Sequence, residues 1–237
     1  MPKPLVDIGG RPILWHIMKI YAYYGYRSFL CCLGYKGEMI KQYFLNYEYM
    51  SHDFTVTIGN RNKKIMMNGG EKEWSVALAD TGLETMTGGR IKRIEKYINA
   101  DHFMVTYGDA VANINIDELL KFHLEKGKIA TVTGVHPVSR FGIIERNADG
   151  IVERFREKPQ VDELINGGFF VFKKSFFDYL DPNSVLEKEP LEQLAYDKEL
   201  VVYEHKGFWY CVDTYRDYLE LNKMWDGNDT PWKIWDD

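Results

Sequence analysis

Phe103-Met104-Val105-Thr106-Tyr107-Gly108-Asp109 is an apolar run of strand length that ends in a glycine and a carboxylate. A strand this short and apolar belongs in a sheet covered on both faces, and in open α/β folds the ligand crevice lies at the carboxyl ends of such strands. Asp109 would sit at that crevice. Gly108 lets a ligand approach the backbone closely, which suits a metal ion held beside phosphate oxygens, although Gly-Asp also suits an ordinary strand-ending turn.

A second run, Gly207-Phe208-Trp209-Tyr210-Cys211-Val212-Asp213-Thr214, closes the same way, just before a helical pattern over 215–225. Two carboxylates at strand ends can converge on one cation, since Mg²⁺ is held by one or two carboxylates together with substrate phosphates. Asp213 equally fits a helix N-cap, with Thr214 as its near-equivalent.

Outward from these runs, strand-length apolar segments alternate with helical patterns, which predicts βαβ units. The spacing predicts helices over 13–24, 38–46, 89–98 and 116–125, and strands over 29–33, 54–58, 75–79 and 129–135. From 141 onward the segments shorten, and Asn147-Ala148-Asp149-Gly150 marks a turn between two strands, hence an antiparallel insertion. Helices over 175–180 and 186–196 and strands over 200–203 and 208–212 complete the chain. The expected fold is one α/β domain over 1–237: a mainly parallel mixed sheet with helices on both faces and a small antiparallel elaboration within 141–237.

At 237 residues, 45% hydrophobic and 27% charged, the composition is that of an ordinary globule. A net charge of −5 without any Lys/Arg block argues against a nucleic-acid partner. An anionic small substrate would be handled by a few placed cations and a metal. Cys31, Cys32 and Cys211 form no Cys-x-x-Cys pair and sit in apolar runs, as buried thiols of a reducing compartment do. No apolar stretch reaches membrane-spanning length and no leader pattern is visible, so a cytoplasmic protein without a membrane partner is expected. The histidines are isolated, which assigns no zinc site, and the serines lack a nucleophile-elbow pattern.

Several further segments offer chemistry. Pro2 and Pro4 hold Lys3 in an extended stretch, either as a fixed charge against a phosphate or as a solvated lysine. Thr81-Gly82 and Thr85-Met86-Thr87-Gly88-Gly89-Arg90 form a hydroxyl- and glycine-rich loop leading into a helix, the arrangement that presents N–H groups to an anion. Arg90 near the positive end of that helix makes sense beside an anionic ligand, or else as an exposed arginine on a mixed-charge helix. Glu157-Lys158-Pro159 and Asn166-Gly167-Gly168 could grip sugar hydroxyls and a phosphate.

Taken together, Pro2-Lys3-Pro4, Ile8-Gly9-Gly10-Arg11-Pro12, Gly34-Tyr35-Lys36-Gly37, Asp80-Thr81-Gly82, Met86 to Arg90, Tyr107-Gly108-Asp109, Glu157-Lys158-Pro159, Asn166-Gly167-Gly168 and Val212-Asp213-Thr214 resemble one family over essentially the whole chain. The pattern is similar to the glucose-1-phosphate cytidylyltransferase branch of the sugar-nucleotidyltransferases. The resemblance implies a Rossmann-like nucleotidyltransferase fold, a cytoplasmic homo-oligomer and a place in polysaccharide (O-antigen) synthesis. It also implies Mg²⁺-dependent formation of CDP-glucose and pyrophosphate from CTP and α-D-glucose 1-phosphate, by direct in-line attack on the α-phosphate. By motif position, Asp109 and Asp213 would hold the metal, Lys3 and Arg90 would bind phosphate oxygens, and Gly108 would line the nucleotide pocket. Thr81, Gly82, Thr85 and Thr87 would meet the nucleotide, and Glu157, Lys158, Asn166 and Gly167 the sugar phosphate. Relative to the family, the chain begins after the Gly-Gly-x-Gly-Thr-Arg loop and the strand before it, so an N-terminal truncation and weak activity of these 237 residues are expected. Two other readings stand beside this one: a non-catalytic sugar-nucleotide-binding or assembly subunit, and a uridylyl- or thymidylyltransferase of the same fold. The aromatic stretches at 43–49 and 225–235 fit either subunit contacts or core.

Overall fold

The computed structural model describes residues 1–53, 74–139 and 141–236. The strand expected over 54–58 lies outside the described residues. A 3₁₀ turn at Lys3–Leu5 leads into the short antiparallel pair β1 (Asp7–Ile8) and β2 (Arg11–Pro12). Then follow α1 (Ile13–Tyr23), β3 (Ser28–Leu33), α2 (Gly37–Leu45), α3 (Tyr47–Ser51), β4 (Ser75–Asp80) and α4 (Thr87–Arg93). Next come β5 (His102–Val105), β6 (Ala110–Ala112), α5 (Ile116–Lys126), β7 (Ala130–Val135), β8 (Ile143–Arg146), β9 (Val152–Arg156) and β10 (Ile165–Lys173). The chain closes with α6 (Glu189–Tyr196), β11 (Leu200–His205), β12 (Trp209–Cys211) and α7 (Tyr215–Asp226).

Sheet and helices separate two apolar clusters. In β10, Phe169, Phe170, Val171 and Phe172 are all fully buried, which an apolar run without alternation requires of a strand covered on both faces. Phe169 and Val171 join α1, α5 and the C-terminal tryptophans, whereas Phe170 and Phe172 pack with Phe176, Phe177 and Leu194. Burying each such side chain contributes about 2 kcal/mol. Trp232 and Trp235 close the first cluster around the buried His16 and Trp225 packs against it, so the tryptophans of the 225–235 stretch belong to the core while residues 226–229 are exposed.

The sheet is mixed, but parallel pairing is the smaller share among the described residues. β3 and β4 pair in parallel, as do β7 and β11. β10 runs back between β5 and β7 and pairs antiparallel with both, giving the order β11-β7-β10-β5. The Asn147 turn forms as expected: its side-chain oxygen accepts from the Asp149 and Ile151 amides, Gly150 takes φ +85°, and β8 pairs antiparallel with β9.

Two helix boundaries differ from expectation. α4 begins at Thr87 and stops at Arg93, with a separate 3₁₀ turn at Glu95–Tyr97. Its start is set by tertiary contact: the Gly89 amide donates to the Ser184 carbonyl, and a Cβ on Gly89 would lie 2.3 Å from the Pro182 oxygen. The helix expected over 175–180 is a 3₁₀ turn at Lys174–Tyr179. One side of β5 pairs with β10, while its other side and β3 line a shared cavity of about 670 Å³, between α1 residues such as Ile17 and Tyr21 and α4 residues such as Ile91. Among the described residues no strand pairs with both edges.

Candidate active site

The two carboxylates meet because β6 and β12 pair. Their register sets Ala110 opposite Cys211, and the Val212 amide donates to the Asp109 carbonyl at 2.8 Å, so residues that close two distant apolar runs become neighbours. Lys3 arrives from a third segment. Its 3₁₀ turn, closed by the Val6 amide donating to the Lys3 carbonyl, packs Pro4 so tightly on Gly108 that a Cβ there would lie 2.9 Å from the proline ring. This close approach, rather than a ligand, is what Gly108 accommodates here. The Lys3 ammonium donates to Asp213 at 2.8 Å and to Asp109 at 3.4 Å.

The cap alternative for Asp213 gives way to its neighbour. Thr214 is the N-cap of α7, its hydroxyl accepting from the Asp217 amide in a capping box, while the Asp213 amide donates to the Asp217 carboxylate. Asp213 therefore stands just ahead of the helix with its side chain on Lys3. The Lys3 ammonium is held above the ordinary lysine range, chiefly by its hydrogen bond to Asp213. Burial raises the Asp109 carboxyl above its ordinary range against the pull of Lys3, and the Asp213 charge adds to the rise.

Sequence reasoning missed a third group here. One oxygen each from Asp109 and Asp213 and the Cys211 sulfur lie within 4.8 Å of one another. Burial and the two carboxylates push the Cys211 thiol up to about 12, so it stays protonated and the donor set is two carboxylates. Those are hard oxygen ligands of the kind Mg²⁺ takes. Cys31 and Cys32, half-buried and unbridged, are pushed up to about 12 and about 11, mainly by burial.

The Thr81 to Arg90 loop directs its polar groups inward. Thr81 is buried, donating to the Leu33 carbonyl at 2.8 Å and accepting from Arg90 at 2.7 Å. The Arg90 guanidinium also donates to the carbonyls of Leu33, Gly82 and Leu83, at 3.0, 2.9 and 3.2 Å. Gly82 takes φ +90°, its amide donating to Asp80 and its absent Cβ leaving room for the Thr85 hydroxyl. Arg90 thus ties the end of β3 to its own loop.

On the other side of Asp109, the β10 backbone shifts register between Asn166 and Phe170, with Gly168 at φ +82°. The shift aims Asn166 at the Tyr107 hydroxyl, to which it donates at 3.1 Å, and the Trp209 ring donates to the Gly167 carbonyl at 2.8 Å. Burial and the Glu187 carboxylate hold the Tyr107 phenol above its ordinary range, so it remains a donor. Thr87 donates to the same Glu187 at 2.7 Å. Glu187, an exposed loop glutamate, carries no local sequence signal. Glu157 and Lys158 follow β9 on the separate hairpin, Lys158 in the left-handed region at φ 44°.

A mixed α/β sheet with a lysine bridging two strand-end carboxylates matches a class that acts on nucleotides: residues 1–226 match the Nucleotidyl transferase family. The chain belongs to that family. It is 48% identical over 237 residues to the "Probable glucose-1-phosphate cytidylyltransferase" of Bacillus subtilis (strain 168), covering 99% of this chain and 92% of the relative. It is 45% identical, at the same coverage, to the "Glucose-1-phosphate cytidylyltransferase" of Salmonella typhimurium (strain LT2). Among solved structures, HddC from Yersinia pseudotuberculosis complexed with GMP-PN superposes with a TM-score of 0.66 at 21% identity, covering 95% of this chain and 90% of that one, which shows the shared fold.

Proposed function

We propose that this protein transfers the cytidylyl group of CTP to α-D-glucose 1-phosphate, yielding CDP-glucose and pyrophosphate. The observation that carries the reading is the Lys3–Asp109–Asp213 cluster, three side chains from distant segments converging at the carboxyl ends of β5 and β12. Family membership and the names of the two relatives supply the substrates. A binding subunit relieved of chemistry has no physical use for two close carboxylates, one of them half-buried. Arg90 adds less to this contrast, because its Nη1 group donates to the Leu33 and Gly82 carbonyls and to Thr81.

In the reaction, an oxygen of the sugar phosphate forms a bond to the α-phosphorus of CTP as the bond to the pyrophosphate oxygen breaks. No covalent enzyme nucleophile is needed, and the protonated Cys211 is unsuited to serve as one. Catalysis then rests on positioning and charge neutralisation. Asp109 and Asp213 would hold Mg²⁺, which when bound neutralises phosphate charge. Lys3 would turn its ammonium to phosphate oxygens, and Asn166, Gly167, Glu157 and Lys158 would face the sugar phosphate.

The test is substrate-dependent pyrophosphate release. It is run on the 237 residues and on the same chain carrying a strand and a Gly-Gly-x-Gly-Thr-Arg segment ahead of Met1, because a cradle of backbone N–H groups is not replaced by side chains elsewhere. The extended chain should release pyrophosphate with CTP, glucose 1-phosphate and Mg²⁺, and the shorter one far less. Preference for UTP or dTTP would transfer the reading to another base, and glucose 1-phosphate binding without release in the extended chain would favour a binding subunit.

A further inference from the structure

Glu187 connects three parts of the site that are far apart in sequence. One carboxylate oxygen accepts from the Tyr107 hydroxyl at 2.5 Å, the other from the Thr87 hydroxyl at 2.7 Å. Thr87 also accepts from the Leu186 amide at 2.9 Å, which fixes where the carboxylate stands relative to the start of α4. Tyr107 lies two residues before Asp109 in sequence. Having donated to Glu187, its hydroxyl has only acceptor capacity left, and the Asn166 amide donates to it at 3.1 Å.

The Asn166 amide is thereby oriented at both ends. Its nitrogen faces Tyr107 and its oxygen accepts from the Gly168 amide at 2.9 Å. The Tyr107 ring is seated as well: it meets Phe170 edge to face, and a Cβ on Gly168 would fall 2.4 Å from it. A polar side chain held this way loses little rotational freedom when a ligand engages its remaining donor, the condition for a preorganised contact.

We propose that Glu187 is a positioning residue: through the Tyr107 hydroxyl it orients the Asn166 amide toward the sugar phosphate, and through Thr87 it joins that side of the site to the Thr85–Arg90 loop. This rests on the assignment of Asn166 to the sugar phosphate made above. Glu187 touches no substrate in this account.

The experiment follows the Asn166 side-chain NH₂ resonances in the ¹⁵N-labelled protein, without ligand and on titration with α-D-glucose 1-phosphate. The variants are Tyr107→Phe, Glu187→Ala and Glu187→Gln, with melting temperatures measured alongside. Without ligand, one Asn166 amide proton should be shifted and slow to exchange in the wild type, and should lose both properties in Tyr107→Phe and Glu187→Ala. Glu187→Gln keeps an acceptor for the tyrosine and should restore most of the effect. On titration, glucose 1-phosphate affinity should fall roughly tenfold in the first two variants, the scale of one lost hydrogen bond. The Tyr107→Phe/Glu187→Ala double variant should lose no more than either alone. Asn166 signals unchanged in Glu187→Ala, or a melting temperature that falls while signals and affinity hold, would overturn the positioning role. An oriented Asn166 amide with no response to glucose 1-phosphate in the wild type would instead overturn its sugar-phosphate assignment.

Discussion

The cluster around Asp109 and the loop around Arg90 use the same kinds of residue to opposite ends. At Asp109 and Asp213, two carboxylates share one exposed ammonium, an ion-paired cluster whose partners a cation and phosphates can exchange with. At Arg90, the guanidinium meets four protein acceptors and the neighbouring threonine is buried. The same residue types therefore brace the fold at Arg90 as well as offering charge to an anion. What separates the two regions is the partner the fold supplies: one exposed lysine for the carboxylates, backbone carbonyls and a buried threonine for the guanidinium.

The largest effect should come from the open region. With the N-terminal extension in place, Asp109→Asn and Asp213→Asn should each lower turnover roughly a thousandfold or more while the melting temperature moves little, as losing one ligand charge does in metal-assisted phosphoryl chemistry. Near-wild-type rates for either variant at saturating Mg²⁺ would break the contrast from the catalytic side.

Arg90→Ala should instead act on the fold. Removing the donor for Leu33, Thr81, Gly82 and Leu83 should cost about 2–4 kcal/mol, seen as a lower denaturation midpoint. An unchanged midpoint combined with lost CTP affinity would return Arg90 to phosphate binding and erase the distinction.

Away from both regions, the buried His16 gives a pH signature of packing alone. Its Nε2 donates to the Ile8 carbonyl and its Nδ1 accepts from the Trp232 ring, and burial lowers its pKa to about 4. A histidine held neutral in this way contributes stability that is fully present above its unfolded pKa. The contribution is lost as pH falls from about 6.5 towards 4 and amounts to about 3 kcal/mol at most. His123, also buried and lowered to about 4, adds to the same window. Melting temperature followed from pH 8 to 4.5 should decline in the wild type and decline less in His16→Gln; identical slopes would contradict the assignment. The smallest change should come from Thr214→Ala, which removes the α7 cap for about 1 kcal/mol and, by loosening the start of that helix, should lower turnover only modestly.

The carboxylate cluster was legible because both apolar runs close in an acidic residue: Asp109 follows β5 and directly precedes β6, and Asp213 stands two residues past β12. The continuous Phe169–Phe172 run, which no strand expectation covered, is the buried centre of β10. Its antiparallel placement between β5 and β7 was not legible, since local periodicity carries no pairing direction. Nor was the start of α4, which depends on the Pro182 and Ser184 carbonyls nearly a hundred residues away. The bracing role of Arg90 was not legible, because its acceptors belong to β3 and the preceding loop, and only the folded chain assembles them. Glu187 had no signal at all, because its partners Thr87 and Tyr107 lie 100 and 80 residues away in sequence.

The central claim is tested most directly by measuring pyrophosphate release from the N-terminally extended chain with glucose 1-phosphate and Mg²⁺, supplying CTP, UTP, dTTP and ATP in parallel and repeating each in Asp213→Asn. The account predicts release with CTP far above the other three, and its near-complete loss in the variant. Release that is equal across nucleotides, or that survives Asp213→Asn at full rate, would contradict it.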